Sequence, residues 1–228
     1  MNKRNKKIFL IFLIFSLILS LIPIINIFNE DIKLLTLNKS FIFKMSKVLI
    51  IGDSRMELIE NDREKLNIPS NIIIKAKSGA RIEWFYKVGL PWLNEQLNNK
   101  DDYYNYVVLF NLGVNDLNSY KIPEEVAKEY INAYKSLMFQ NKNIKFYFLS
   151  VNPIDELTIN DFFANQKRTN KKIESFNKYF IDKLQEFDNV KYCDSYNEID
   201  IKFYDGLHFD FNTNKLIVKY LINDCLNI

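Results

Sequence analysis

Histidine is almost absent from this chain: His208 is the only one among 228 residues. With just two cysteines beside it, the sequence cannot assemble the His/Cys sets that hold zinc, so no metal is expected. Glycine and proline number five each, too few for low-complexity linkers, and no Gly-rich phosphate loop is present. A global excess of one charge is missing too. The formal net charge is +3, but Lys3, Arg4, Lys6 and Lys7 lie together at the start, and without them 27 basic residues face 28 acidic ones. That near-neutral body gives no electrostatic case for nucleic-acid binding. What the chain does have is apolar material, 48% hydrophobic and 15% aromatic, which argues against disorder and supplies a real core.

The basic cluster has its own explanation. Residues 8–28 read "IFLIFLIFSLILSLIPIINIF", 21 residues without a charge and with no polar face. A helix of that length crosses a hydrocarbon core of about 30 Å. The basic residues before it predict a cytoplasmic start by the positive-inside rule. A cleaved signal peptide would have a shorter apolar region and small residues at a cleavage site. The exit "NIFNEDIK" offers none. The expectation is therefore a basic cytoplasmic tail over 1–7, a transmembrane signal-anchor over 8–28, a linker over 29–46, and a folded domain over 47–228 outside the cytoplasm. Cys193 and Cys225 could pair there, or could be two buried free thiols.

From Lys47 a rhythm begins. Apolar, β-branched runs at 47–53, 71–78, 106–113, 144–151 and 190–195 read as strands. Helical spacing covers 54–66, 80–99 (interrupted around Gly89-Leu90-Pro91), 123–141, 167–187 and 212–226, the last capped by Asn212 or Thr213. Strands alternating with helices imply a parallel sheet covered on both faces. The expected fold is α/β: a three-layer α/β/α sandwich on a flavodoxin-like, five-stranded parallel sheet. In such sheets, ligands bind beyond the C-terminal ends of the strands.

The residues standing at those ends make a chemically complete set. "IIGDSRM" puts Ser54 on the turn from the first strand into a helix N-terminus, where negative charge is favoured. Read alone, Ser54 could simply cap that helix. "KAKSGAR" supplies Gly79, whose N–H a ligand can approach with no side chain in the way. "NLGVNDL" supplies Asn115, an amide donor. "FYDGLHFD" supplies Asp205 and His208. A serine needs a base to become a nucleophile, and His208 can be that base. Asp205 can hold the other ring nitrogen. The N–H groups of Ser54 and Gly79 and the Asn115 amide would provide three oxyanion donors.

In these blocks, "GDSR", "SGAR", "GVND" and "DGLH" in that order, the chain resembles the SGNH branch of the GDSL esterase/lipase superfamily. The resemblance covers roughly 47–210. It implies Ser54 as nucleophile, Gly79 and Asn115 as oxyanion donors, and Asp205 with His208 completing a triad. Arg55 departs from the leucine in the family's name and weakens any inference from its lipase-like members.

Several neighbours carry two readings. Arg55 and Arg81 could hold an anionic substrate group, or be structural or solvent-facing. Asn152 lies at the correct sheet end to line a pocket. Trp84, Tyr86 and Trp92 could stack on a sugar, though their helical setting favours core packing. Asp53 and Asp116 are expected to brace turns. The resulting expectation is a membrane-anchored, outward-facing serine esterase for short acyl groups, such as acetyl on cell-surface polysaccharide, needing no cofactor. A carbohydrate O-acetyltransferase would use the same site, and a non-catalytic surface binding domain is the third reading.

Overall fold

The first strand explains why the domain has two covered faces. β1 (Ser46–Gly52) carries Val48, Leu49, Ile50 and Ile51, none more than 2% exposed. A strand apolar on both sides must be central, because successive side chains point to opposite faces. In the computed structural model, which describes residues 46–101, 103–118, 121–162 and 168–228, β1 indeed lies between two partners. The sheet order is β2-β1-β3-β4-β5, all parallel, with β2 (Ile72–Ala76), β3 (Asn105–Asn111), β4 (Lys145–Leu149) and β5 (Val190–Cys193). This is the flavodoxin-like order expected from the alternation of elements.

Helices fill the connections. After α1 (Ser54–Asn61) come α2 (Ile82–Trp84), α3 (Leu90–Asn98), α4 (Pro123–Gln140), α5 (Glu156–Phe162), α6 (Asn170–Leu184), α7 (Ser195–Glu198) and α8 (Phe211–Tyr220). One buried cluster joins Leu49, Ile51, Val108, Phe110, Phe146 and Phe148 of the sheet to the helices between 82 and 184. Ile50 and Leu109 alternate with that set and are buried outside it, as are Met56 and Ile59 of α1 and Ile217 and Val218 of α8. Much of the aromatic content sits in the first layer, where Phe110 stacks on Tyr134 with centroids 4.0 Å apart. Such pairs add to simple area burial. α4 buries Val126, Tyr130, Tyr134 and Leu137, spaced three or four apart as one helical face requires.

Three local expectations need correction. The segment 82–98 is not broken at Gly89-Leu90-Pro91. A π-helical turn, Phe85–Gly89, joins α2 to α3, and Leu90 N–H donates to Phe85 O five residues back. Pro91 has no N–H for the ordinary ladder, and the wider turn absorbs that loss near the start of α3. The cap of α8 is Asp210, not Asn212 or Thr213. Its carboxylate accepts from Thr213 N at 2.7 Å. The helix after β1 ends at Asn61 and continues to residue 67 as turns.

Cys193 and Cys225 are bonded, with Cα atoms 5.4 Å apart, tying the end of β5 to the C-terminal π-helical turn Leu221–Cys225. The proposed tail and anchor, and the linker up to residue 45, lie outside the described residues. Among the described residues, no helix is long and apolar enough to cross a membrane.

Candidate active site

The site is built where β1, β2 and β3 end side by side, with Gly52 level with Ala76 and with Asn111. Two residues beyond Gly52 the chain turns into α1. Asp53 caps that helix, its carboxylate accepting from Arg55 N at 3.0 Å. Because Asp53 does the capping, the Ser54 hydroxyl is free for another partner. That partner is His208: Nε2 lies 2.8 Å from Ser54 Oγ. Its Nδ1 lies 2.7 Å from Asp205 Oδ2. Beside an ionised carboxylate, Nδ1 must carry the proton, which leaves the Nε2 lone pair to accept from the serine.

The loop that delivers His208 is tied to its own acid. Asp205 Oδ1 accepts from Leu207 N at 3.0 Å and from His208 N at 2.7 Å. Gly206 makes this turn with φ +81, and an added Cβ would lie 2.9 Å from Ile159 N. Partial burial pushes the Asp205 carboxyl up. The hydrogen bonds from the His208 ring and from both backbone N–H groups outweigh that and hold it below the usual carboxylate range. Asp53 is the opposite case: burial raises it, with Arg55 opposing most strongly.

Gly79 follows β2 with φ +71, and nothing lies within 4 Å of where a Cβ would stand. A side chain there would meet open space, at the end of the strand beside β1. Asn115, beyond β3, is buried and pinned at both ends. Its Nδ2 donates to Ala80 O at 3.0 Å and its Oδ1 accepts from Arg168 Nη2 at 3.4 Å. An acceptor-only carbonyl on one side and a donor-only guanidinium on the other fix which way the amide faces. Asp116 is buried too, and its Oδ2 accepts from Tyr130 OH at 2.6 Å, so it bonds a side chain across α4.

A family model described as GDSL-like lipase/acylhydrolase matches residues 48–221. The chain belongs to the GDSL-like lipase/acylhydrolase family. It is thus an ester-hydrolysing enzyme of the SGNH superfamily, as the four blocks imply. Solved structures show the same fold at low identity. A candidate acylhydrolase from Bacteroides fragilis is 18% identical with TM-score 0.58, over 76% of this chain and 83% of that one. A GDSL-like lipase from Bacteroides thetaiotaomicron is 16% identical with TM-score 0.56, over 77% and 84%. A carbohydrate esterase family 3 protein from Talaromyces cellulolyticus is 16% identical with TM-score 0.53, over 78% and 94%. No curated protein matches the chain.

Within this GDSL-like chain Arg55 takes the structural one of its two readings. It is 3% exposed, and its guanidinium is spent on carbonyls: Nε on Leu207 O at 3.1 Å, Nη1 on Asn152 O at 2.8 Å and Nη2 on Pro153 O at 2.9 Å. It also stacks over Phe209 at 4.4 Å. Burial pulls its pKa down to about 10, with Asp53 opposing, so it stays charged at neutral pH. Arg55 is a clamp across the loop that carries His208. Asn152 is buried as well, and its Oδ1 accepts from Ser195 Oγ at 2.8 Å, so its side chain braces the β5 end. Arg81 is exposed at the start of α2. Trp84 and Trp92 pack against the core; Tyr86 is 45% exposed. Arg168, which no sequence pattern singled out, is buried against Asn115. The two larger cavities described, of about 420 and 340 Å³, lie elsewhere and are not lined by Ser54, Asn115 or His208.

Proposed function

We propose that this chain is an extracytoplasmic serine esterase that removes short acyl groups, acetyl first among them, from a cell-surface glycan. The observation that carries the reading is the unbroken chain of contacts from Asp205 through His208 to Ser54. His208 Nε2 takes the Ser54 proton as Oγ attacks the ester carbonyl. The charge on the carbonyl oxygen is met by the N–H groups of Ser54 and Gly79 and by the Asn115 amide. The tetrahedral intermediate collapses, His208 returns the proton to the leaving alcohol, and the acyl group remains on Ser54. Water, deprotonated by the same imidazole, attacks the acyl-enzyme and frees the acid and the serine. Asp205 stays ionised throughout and stabilises the imidazolium that forms.

The glycan side of the proposal is supported by the likeness to a carbohydrate esterase. The location is supported by the apolar run over 8–28, read as a membrane anchor, and by the Cys193–Cys225 bond, which persists in oxidising compartments. The test is turnover of p-nitrophenyl acetate by the full chain and by Ser54→Ala. A loss of about 10³-fold or more is expected for the nucleophile. Equal rates would remove Ser54 from the mechanism. Running the reaction with a glycan acceptor tells free acetate from acetylated glycan, and acetylated glycan as the main product would replace hydrolysis with transfer.

A further inference from the structure

The stretch between β4 and α5 belongs to no helix or strand, yet its backbone is held firmly. Two asparagines of α6 do much of the holding. Asn177 Oδ1 accepts from Val151 N at 3.0 Å, and its Nδ2 donates to Val151 O at 2.9 Å. Asn170 repeats the arrangement: Oδ1 accepts from Ile154 N at 2.9 Å, and Nδ2 donates to Ile154 O at 2.9 Å. One side-chain amide thus satisfies both backbone groups of one residue, as a neighbouring strand would. Val151 and Ile154 are buried, so those groups need partners inside the protein.

The spacing of the two grips matches. Residues seven apart share a helix face and stand about 10.5 Å apart along it. Three residues of extended chain span about 10 Å. Asn170 and Asn177 therefore meet Ile154 and Val151 in register.

The held segment in turn carries the loop of His208. Asp155 N donates to Gly206 O at 2.9 Å. Arg55 bridges the carbonyls of Asn152 and Pro153 to that of Leu207. Gly206 and Leu207 are the two residues just before His208, and both are anchored to 152–155, one directly and one through the guanidinium.

We infer that Asn170 and Asn177 are positioning residues for the reaction: they fix segment 151–155, and the segment sets where His208 meets Ser54. They touch no reacting atom. The inference rests on the reading of Ser54 and His208 given above.

Because the chain has one histidine, NMR of the histidine-labelled full chain gives the ring signals of His208 alone. Asn177→Asp keeps the shape and an acceptor but loses the donor to Val151 O. Asn170→Ala, at a half-buried position, is the milder change and decides alone if Asn177→Asp does not fold. Leu184→Ala removes core packing at the far end of α6 without touching the segment, and supplies the comparison for stability. Below the Tm of every variant, the asparagine changes should move the His208 signals. They should also lower kcat on p-nitrophenyl acetate by about 10–10²-fold with little change in KM, since a displacement near 1 Å suffices. Leu184→Ala should lower Tm and leave both signals and kcat in place. Unmoved signals with wild-type kcat in the asparagine variants overturn the inference, as does a Leu184→Ala protein that shifts both as much. Moved signals in a chain whose wild type hydrolyses no ester would keep the positioning and remove the esterase reading. An active wild type whose asparagine variants match it would remove the positioning alone.

Discussion

Replacing Arg55 by leucine, the residue in the family's name, asks what the arginine is for. Three backbone carbonyls, of Leu207, Asn152 and Pro153, lose their donor at once. Hydrogen bonds from a charged group contribute about 1.5–3 kcal/mol each. Removing the guanidinium also removes its own desolvation cost, so the net loss is smaller than the sum. Each buried carbonyl left without a donor costs about 1–3 kcal/mol, so with that offset the expected fall in unfolding free energy is about 3–5 kcal/mol. The effect on rate is separate. Leu207 directly precedes His208, and misplacing a catalytic group by about 1 Å can cost about 10²-fold. Denaturant melts and p-nitrophenyl acetate kinetics on wild type, Arg55→Lys and Arg55→Leu measure both. The leucine variant should lose kcat with little change in KM, because Arg55 faces loops and not the substrate. Lysine, a single point charge, should fall between. A leucine variant with wild-type stability and wild-type kcat would refute the clamp.

Other perturbations separate folding from chemistry. Cys193→Ser with Cys225→Ser opens a loop of 32 residues, which predicts a loss of roughly 4 kcal/mol. A thermal melt should show a fall of roughly 10 °C in Tm, and no fall would mean the bond contributes nothing. Gly79→Ala meets open space, so its stability cost is the positive φ alone, about 1–2 kcal/mol, while activity should drop as the N–H shifts. Gly206→Ala drives a Cβ against the Ile159 backbone and should damage stability and turnover together. Asp205 has a depressed carboxyl pKa in the folded chain. Its contribution is therefore present in full above the ordinary value near pH 4 and is lost as pH falls through the lower folded value. The stability gap between wild type and Asp205→Asn, followed as Tm against pH, should be open at pH 7 and close in acid. A gap independent of pH would rule out the ionised contact.

The sheet was readable because its signal is local. Runs such as "KVLIIGD" and "YVVLFNLG" are apolar on both faces, and their alternation with helices leaves few topologies open. The contacts among Ser54, His208 and Asp205 were foreshadowed because strand ends converge in this fold, so four short blocks point to one place. What escaped depended on contacts across the chain. Arg55 beside Ser54 carried two readings, and its structural partner, the carbonyl of Leu207, lies 152 positions away. Arg168 sits just before the cap of α6 in no periodic pattern, and only folding brings it to Asn115. Pro91 reads as a breaker because a sequence shows the lost N–H but not the wider turn that absorbs it. The cysteines could be paired only once β5 and the C-terminal turn were side by side.

The central claim is that Ser54 is a nucleophile activated by the one histidine in the chain. A fluorophosphonate probe followed by mass spectrometry of the intact full chain tests it most directly. The account predicts a single covalent adduct, mapped by peptide sequencing to Ser54, absent from Ser54→Ala and formed at least about 10²-fold more slowly in His208→Ala. An adduct on another serine, or equally fast labelling without His208, would contradict it.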